Sequence, residues 1–204
     1  MKQRFLIILT VIVLLPIKLA AADTLTVEQK LVSEYSRMTV FRNQVWQNAA
    51  IRYDQRPFTL TDISVKGLYD QRGNAALAQE GNGKKDFSAE VNSFLVLNQS
   101  SRLFGQASYR NGRRKNVVWN ENSDYSMLYP YVVGDSIGGF MKEEEYKFSG
   151  GYAYRFGKWT AGAEIGYRAV IAYRDKDPRP RNIISDLQAS VALARNLNEK
   201  YTLG

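Results

Sequence analysis

From Tyr146 onward, apolar and polar residues alternate with a period of two. Tyr146, Phe148, Gly150, Tyr152, Tyr154 and Phe156 fall on one parity, and Lys147, Ser149, Gly151, Ala153 and Arg155 on the other. Side chains alternate across a strand, so this predicts a strand with one aromatic face and one small or charged face. The pattern resumes after Gly157-Lys158. Trp159, Ala161, Ala163, Ile165, Tyr167, Ala169, Ile171 and Tyr173 are apolar, and Thr160, Gly162, Glu164, Gly166, Arg168 and Arg174 lie between them. A two-residue loop with glycine first suits a type II′ hairpin. Closing there pairs Phe156 with Trp159, Tyr154 with Ala161 and Phe148 with Tyr167, and sets Lys147 beside Arg168 on the other face. A one-residue slip would oppose every apolar residue with a polar one, so the register is specified.

Four further strands follow from the same alternation: Thr59 to Tyr69, Asp86 to Leu97, Arg102 to Arg110, and Ile183 to Leu197. Leu68, Phe94, Val96 and Phe104 break the pattern by falling on the polar face, where they would fill an interior or mark a bulge. Residues 23–57 do not alternate. Val27, Leu31, Tyr35 and Met38 can line one face of a short helix capped by Thr26, or the segment is an extended lead-in; Arg56-Pro57 ends it.

The connections differ by end. Asn98–Ser101, Gly157–Lys158 and Asn198–Lys200 are short, whereas Asp70–Lys85, Asn111–Glu145 and Asp175–Asn182 are longer. Outer-membrane barrels keep short turns on the periplasmic side and longer loops outside. The strand from Trp159 to Tyr173 exceeds the usual length of about 5–6 residues and suits a tilted span of about 9–11 residues with an extension. Aromatic residues cluster at two levels, Phe156, Trp159 and Tyr201 near the short turns and Tyr69, Phe87, Tyr109, Tyr146, Phe148 and Tyr173 near the longer loops. Amphipathic rings favour membrane interfaces. The expected fold is all-β: an antiparallel up-and-down transmembrane β-barrel, incomplete, with about six strands and the start of a seventh after a signal peptide.

The N-terminus supplies the address. Lys2 and Arg4 precede an apolar run from Phe5 to Leu15, and Leu19 to Ala22 offers small residues for cleavage before Asp23. That run is short for a spanning helix and right for a signal peptide. The expected organisation is a signal peptide at 1–22, a periplasmic lead-in at 23–57 and an outer-membrane barrel segment at 58–204. The 204-residue chain has a net charge of +8, of which Lys2, Arg4 and Lys18 supply three, and no cysteine or histidine. The remaining excess is spread along the chain and does not form a nucleic-acid stripe. Disulfides and histidine-dependent catalysis are excluded for these residues. No cofactor and no enzymatic activity are expected. "EKYTLG" begins a seventh strand at Tyr201 and stops at Gly204, which reads as the N-terminal part of a longer chain or a truncated gene product.

"YPYVVGDSIGG", "EEYKFSGGYAYRFGKWTAGAEIGYRA" and "YRDKDPRPRN" resemble an uncharacterised family of Bacteroidota outer-membrane β-barrel proteins, over roughly Trp46 to the end. The resemblance implies a barrel fold, an outer-membrane location and further strands after Gly204; it implies no catalytic residues. "VWQNAAIRYD" is also similar to the Asn-Pro-Ala opening of barrels tied to gliding and type IX secretion, with Ala49 where proline would stand.

Two groups of residues are candidate sites. Trp119, Tyr125, Tyr129 and Tyr131, on the longest loop, can stack on a glycan or meet a surface protein, or simply pack the loop onto its own barrel. Lys147, Arg155, Glu164, Arg168 and Arg174 share the polar face with Asp62, Glu90 and Asp186. They either bias a pore towards anions or form a salt-bridge ladder. Glu143, Glu144 and Glu145 read as a solvated charge run at the rim, with a divalent-cation site as the sharper reading. The partners expected are outer-membrane lipid and the barrel-assembly machinery. The functional reading is an outer-membrane barrel with a structural, pore-forming or secretion-accessory role. Its rivals are a secreted soluble β-barrel that binds a small ligand, and a barrel-scaffold enzyme with catalytic groups beyond Gly204.

Overall fold

Period-two alternation becomes a single antiparallel sheet. The computed structural model describes residues 8–9, 26, 47–120, 122, 134, 136–174, 181–198 and 201–204. Its elements are β1 (Ile8–Leu9), a 3-10 helix (Ile51–Asp54), β2 (Leu60–Gln71), β3 (Gly83–Val96), β4 (Ser101–Val117), β5 (Gly139–Phe156), β6 (Trp159–Arg174), β7 (Arg181–Asn196) and β8 (Thr202–Leu203). Strand order in the sheet equals chain order, β1 to β8. Six long strands form the body, and a two-residue strand lies on each edge: Ile8 opposite Lys66, and Leu203 opposite Arg195. The sheet is open, with no ladder between β2 and β7 among the described residues.

The β5–β6 hairpin has the register its alternation demands, with Phe156 opposite Trp159, Phe148 opposite Tyr167 and Lys147 opposite Arg168. Gly157 has φ of 61° and Lys158 does not share a positive φ, as a type II′ turn requires. At the far end the register brings Leu197 opposite Tyr201, whose carbonyl accepts from the Leu197 amide at 2.9 Å. The short turns lie together at one end of the sheet. The proposed helix through Val27, Leu31, Tyr35 and Met38 lies outside the described residues.

Two boundaries are corrected. β4 runs on from Arg110 to Val117, and β5 starts at Gly139 rather than Tyr146. Both ends of the segment Asn111–Glu145 are therefore hairpin: Arg113 pairs with Lys142, and the ladder reaches Val117 opposite Gly139 after an irregularity between Arg114 and Val117. Asn111-Gly112 looks like a turn, and a run of charged residues looks like a loop, but the ladder hydrogen bonds continue through both.

The two faces differ sharply. The outer face exposes Phe148, Tyr152, Tyr154, Ile165, Tyr167, Leu187 and Val191, among others. The inner face is covered at both ends. Near the short turns, Phe94, Phe104 and Ala153 form a cluster with Ala49 and Tyr53 of the lead-in segment, and Val96 packs against it. The breaks in alternation at Phe94, Val96 and Phe104 are thus interior filling. Leu68 is different: it takes the inner parity opposite Asp86 yet stays exposed. Near the longer loops, Val117, Met141 and Ala172 form a second buried cluster.

Candidate functional site

The inner face is the candidate site. At the short-turn end it receives the segment around the 3-10 helix. Asn48 opens that turn, its side-chain oxygen accepting from the amides of Ala50 at 2.9 Å and Ile51 at 3.2 Å. Ala49, Ala50 and Tyr53 are buried. The Tyr53 hydroxyl donates to the Gln99 carbonyl. Its ring lies between two guanidinium groups, Arg155 at 3.9 Å and Arg102 at 4.4 Å. Arg52 stacks on Phe104 at 4.0 Å and donates to both Glu164 carboxylate oxygens, at 3.1 and 3.2 Å. Burial lowers the Arg52 pKa from its ordinary value, a pull the Glu164 carboxylate opposes. Asp54 pairs with Arg155, which also donates to Thr160 at 3.1 Å.

The segment fits because β6 offers no side chain where it crosses. A Cβ at Gly162 would lie 2.4 Å from the Ala49 carbonyl carbon and 2.5 Å from the Ala50 nitrogen. Only glycine allows this backbone-to-backbone approach.

Towards the loops, the inner face becomes an ion-pair network centred on β5. Glu145 accepts from Arg168 at 2.7 Å and from Arg110 at 3.1 Å, and pairs with Lys147 at 3.1 Å. Glu143 pairs with Arg110 and, at 3.1 Å, with Arg114. Arg168 also reaches Asp186 at 2.9 Å, and Lys84 reaches Asp86 at 2.7 Å. Glu143 and Glu145 are buried, so the run 143–145 is not a solvated rim. In a strand its members alternate: Glu143 and Glu145 turn inward to the arginines, while Glu144 turns outward to Asn111 and Tyr146. Guanidinium groups take the places a cation would need, and the described residues hold no acidic or histidine cluster suited to a metal. A polar cavity of about 190 Å³ lies here, lined mainly by Lys84, Asp86, Arg110, Arg114, Met141 and Glu143.

The connecting segments close the loop end. Buried Arg174 donates to the carbonyls of Val117 at 3.0 Å and Asn120 at 3.4 Å. The Val118 amide donates to Ala78 at 2.9 Å, and Asn182 donates to Asn122 at 2.9 Å.

A family model described as a family of unknown function, DUF6850, matches residues 49–204. The chain belongs to the DUF6850 family. No curated protein and no solved structure matches it. In this DUF6850 member the matched span starts at Ala49, so the family unit includes the inward-folded segment together with the sheet.

The five inner-face candidates therefore separate into three places. Lys147 and Arg168 join the Glu145 network, Arg155 and Glu164 hold the lead-in segment, and Arg174 ties down the loop end. Asp62 and Glu90 do not meet these cations; Asn92 bridges the two carboxylates, at 3.2 Å and 2.9 Å. Of the loop aromatics, Trp119 is exposed and lies beside Gly134, while Tyr125, Tyr129 and Tyr131 lie outside the described residues. Arg52, Tyr53, Asp54, Arg110 and Arg114 were not expected at the DUF6850 inner face. For the last two the signal was present, since they continue the inner parity of Ser108.

Proposed function

We propose that the chain forms part of the wall of an outer-membrane β-barrel, reached through export by the signal peptide at 1–22 and insertion by the barrel-assembly machinery. The outer face would meet lipid. The inner face would be closed by ion pairs and by the lead-in segment, giving a structural role rather than an open pore. The observation that carries this reading is the outer face, where large apolar residues stay exposed on β2 through β7. Soluble monomers rarely expose apolar patches beyond a few hundred Å². The height also suits a bilayer. From Tyr146 to Phe156 there are about ten steps of roughly 3.4 Å, and a tilt of about 40° brings that to about 26 Å, near the ~25 Å apolar band of outer-membrane barrels.

A soluble carrier of a small apolar ligand would turn its apolar residues inward. Here the inner wall between the covered ends carries Glu90, Gln106, Ser149, Glu164 and Gln188, against Val91, Ala107, Phe148, Ile165 and Leu187 outside. Arg52, Arg110, Arg114, Lys147, Arg155 and Arg168 each have an opposite neighbour, and Asn92 bridges Asp62 and Glu90, which favours the ladder over an anion-selective pore. Fractionation of a Gram-negative host that expresses the chain tests the reading. The chain should stay in the outer-membrane fraction through high salt and leave only with detergent. Recovery from the soluble periplasm without detergent would overturn it.

A further inference from the structure

At the level of Gly112 the inner face of β4 lacks a side chain. Gly112 stands in the ladder between Asp86 of β3 and Glu143 of β5. Arg110 and Arg114 flank it on the same parity of β4, and Lys84 stands opposite Arg114. A Cβ at Gly112 would meet Asp86 Oδ1 at 2.5 Å, so a larger residue would have to push that carboxylate aside. With Gly112 in place, these side chains surround the polar cavity of about 190 Å³. That is room for several waters, but less than the roughly 300–1,000 Å³ of sites for drug-sized ligands. The cavity suits one compact polar group.

The donors and acceptors around it are unequal. A guanidinium carries five N–H donors and an ammonium three. Arg114 uses one on Glu143, at 3.1 Å. Arg110 uses its Nε–H on Glu145 and one Nη2–H on Glu143, and Lys84 uses one on Asp86, at 2.7 Å. Among the described residues, most donors of these three cations are left to whatever occupies the cavity. The carboxylates offer less. Both Glu143 oxygens already accept from an arginine, and its side chain is 10% exposed against 42% for Lys84. A ligand that fits must therefore be rich in acceptors. Carboxylate and phosphate both qualify, since each pairs with guanidinium groups through charge-assisted hydrogen bonds. A planar carboxylate is matched by a single arginine fork. A phosphate turns oxygens to several sides, and here the cations come from two strands and from two levels of β4.

We propose that Lys84, Arg110 and Arg114 form a binding site for a single phosphate group on the inner face, towards the loop end. The site needs the β3–β5 sheet and not the lipid, so it stands or falls separately from the membrane reading above.

The test is equilibrium dialysis of the chain in mild detergent against radiolabelled inorganic phosphate, which works whatever the number of chains per particle. The parent should bind phosphate saturably, one per chain. Arg114→Gln should weaken binding about ten-fold or more, the worth of a hydrogen bond to a charged group. Lys84→Gln, on a different strand, should do the same and replaces Arg114→Gln as the test if that variant loses its β-sheet circular dichroism. Lys147→Gln, a cation of the same network outside the cavity, should bind as the parent does. Acetate should displace the label far less well than unlabelled phosphate. Displacement by glycerol phosphate as strong as by phosphate would extend the site to phosphate monoesters, and its failure would confine the site to free phosphate; both outcomes support the proposal. No saturable binding in the parent, or equal binding in the parent and the Arg114 and Lys84 variants, would overturn it. Acetate competing as well as phosphate would overturn the phosphate assignment.

Discussion

At the scale of single residues, Gly162 decides whether the lead-in segment can lie on the sheet. The nearest atoms to its missing Cβ are backbone atoms of Ala49 and Ala50, which cannot rotate away as a side-chain tip can. Gly162→Ala should therefore lift the segment and loosen the Tyr53 sandwich, at roughly 1–3 kcal/mol, the usual cost of overpacking. Gly166, two positions along the same face of β6, is a control: its Cβ would meet Ser149 at 3.7 Å, an ordinary contact. The cysteine-free chain makes the readout simple. Thr160→Cys places a thiol at a site that is 1% exposed. A water-soluble maleimide should label it slowly in the parent and in Gly166→Ala, and faster in Gly162→Ala. Equal rates in all three would mean that the segment is not seated through Gly162.

At the scale of elements, β6 carries opposite demands on its two faces. Ile165 is outward and 58% exposed, and Gln188 on the neighbouring strand is inward, opposite Gly166. Ile165→Arg should reduce folding yield in lipid vesicles, because a basic residue on the lipid face near the midplane costs about 2–4 kcal/mol. Gln188→Arg should change the yield little. Comparable losses would contradict the assignment of faces. This contrast marks how far the sequence could be read. Alternation gave the β5–β6 register down to individual pairs, because each face has one chemistry over many residues. It lost the upper ends of β4 and β5, where Arg113, Arg114, Lys142 and Glu143 are polar on both faces and no apolar stripe remains to follow. The Arg52–Glu164 pair joins residues far apart in the chain, so no local pattern could announce it. Ala49 and Ala50 look like lead-in residues because what buries them is a glycine on a distant strand.

At the scale of the whole molecule, the sheet combines an apolar outer face with open edges. Among the described residues, β2 meets beyond β3 only the two-residue β1, which lies within the proposed signal peptide, and β7 meets beyond β6 only β8. In water such edges recruit other chains, and in lipid each unpaired backbone group costs several kcal/mol. Six long strands also fall short of the eight or so of the smallest common outer-membrane barrels. Expressed as these 204 residues, the chain leaves the edges of β2 and β7 to be satisfied between chains. Purified in mild detergent, the chain should migrate as a multi-chain species or aggregate. Amides of β4 and β5, paired on both sides, should exchange slowly, while alternate amides of β2 and β7 exchange fast wherever the edges stay free. The decisive measurement is light scattering on the detergent-solubilised chain, run beside an unheated gel. A monodisperse single chain with a heat-modifiable band would mean that β2 and β7 close on one another. The open sheet would then have to curl into a barrel smaller than those common ones, with the lead-in segment as its filling.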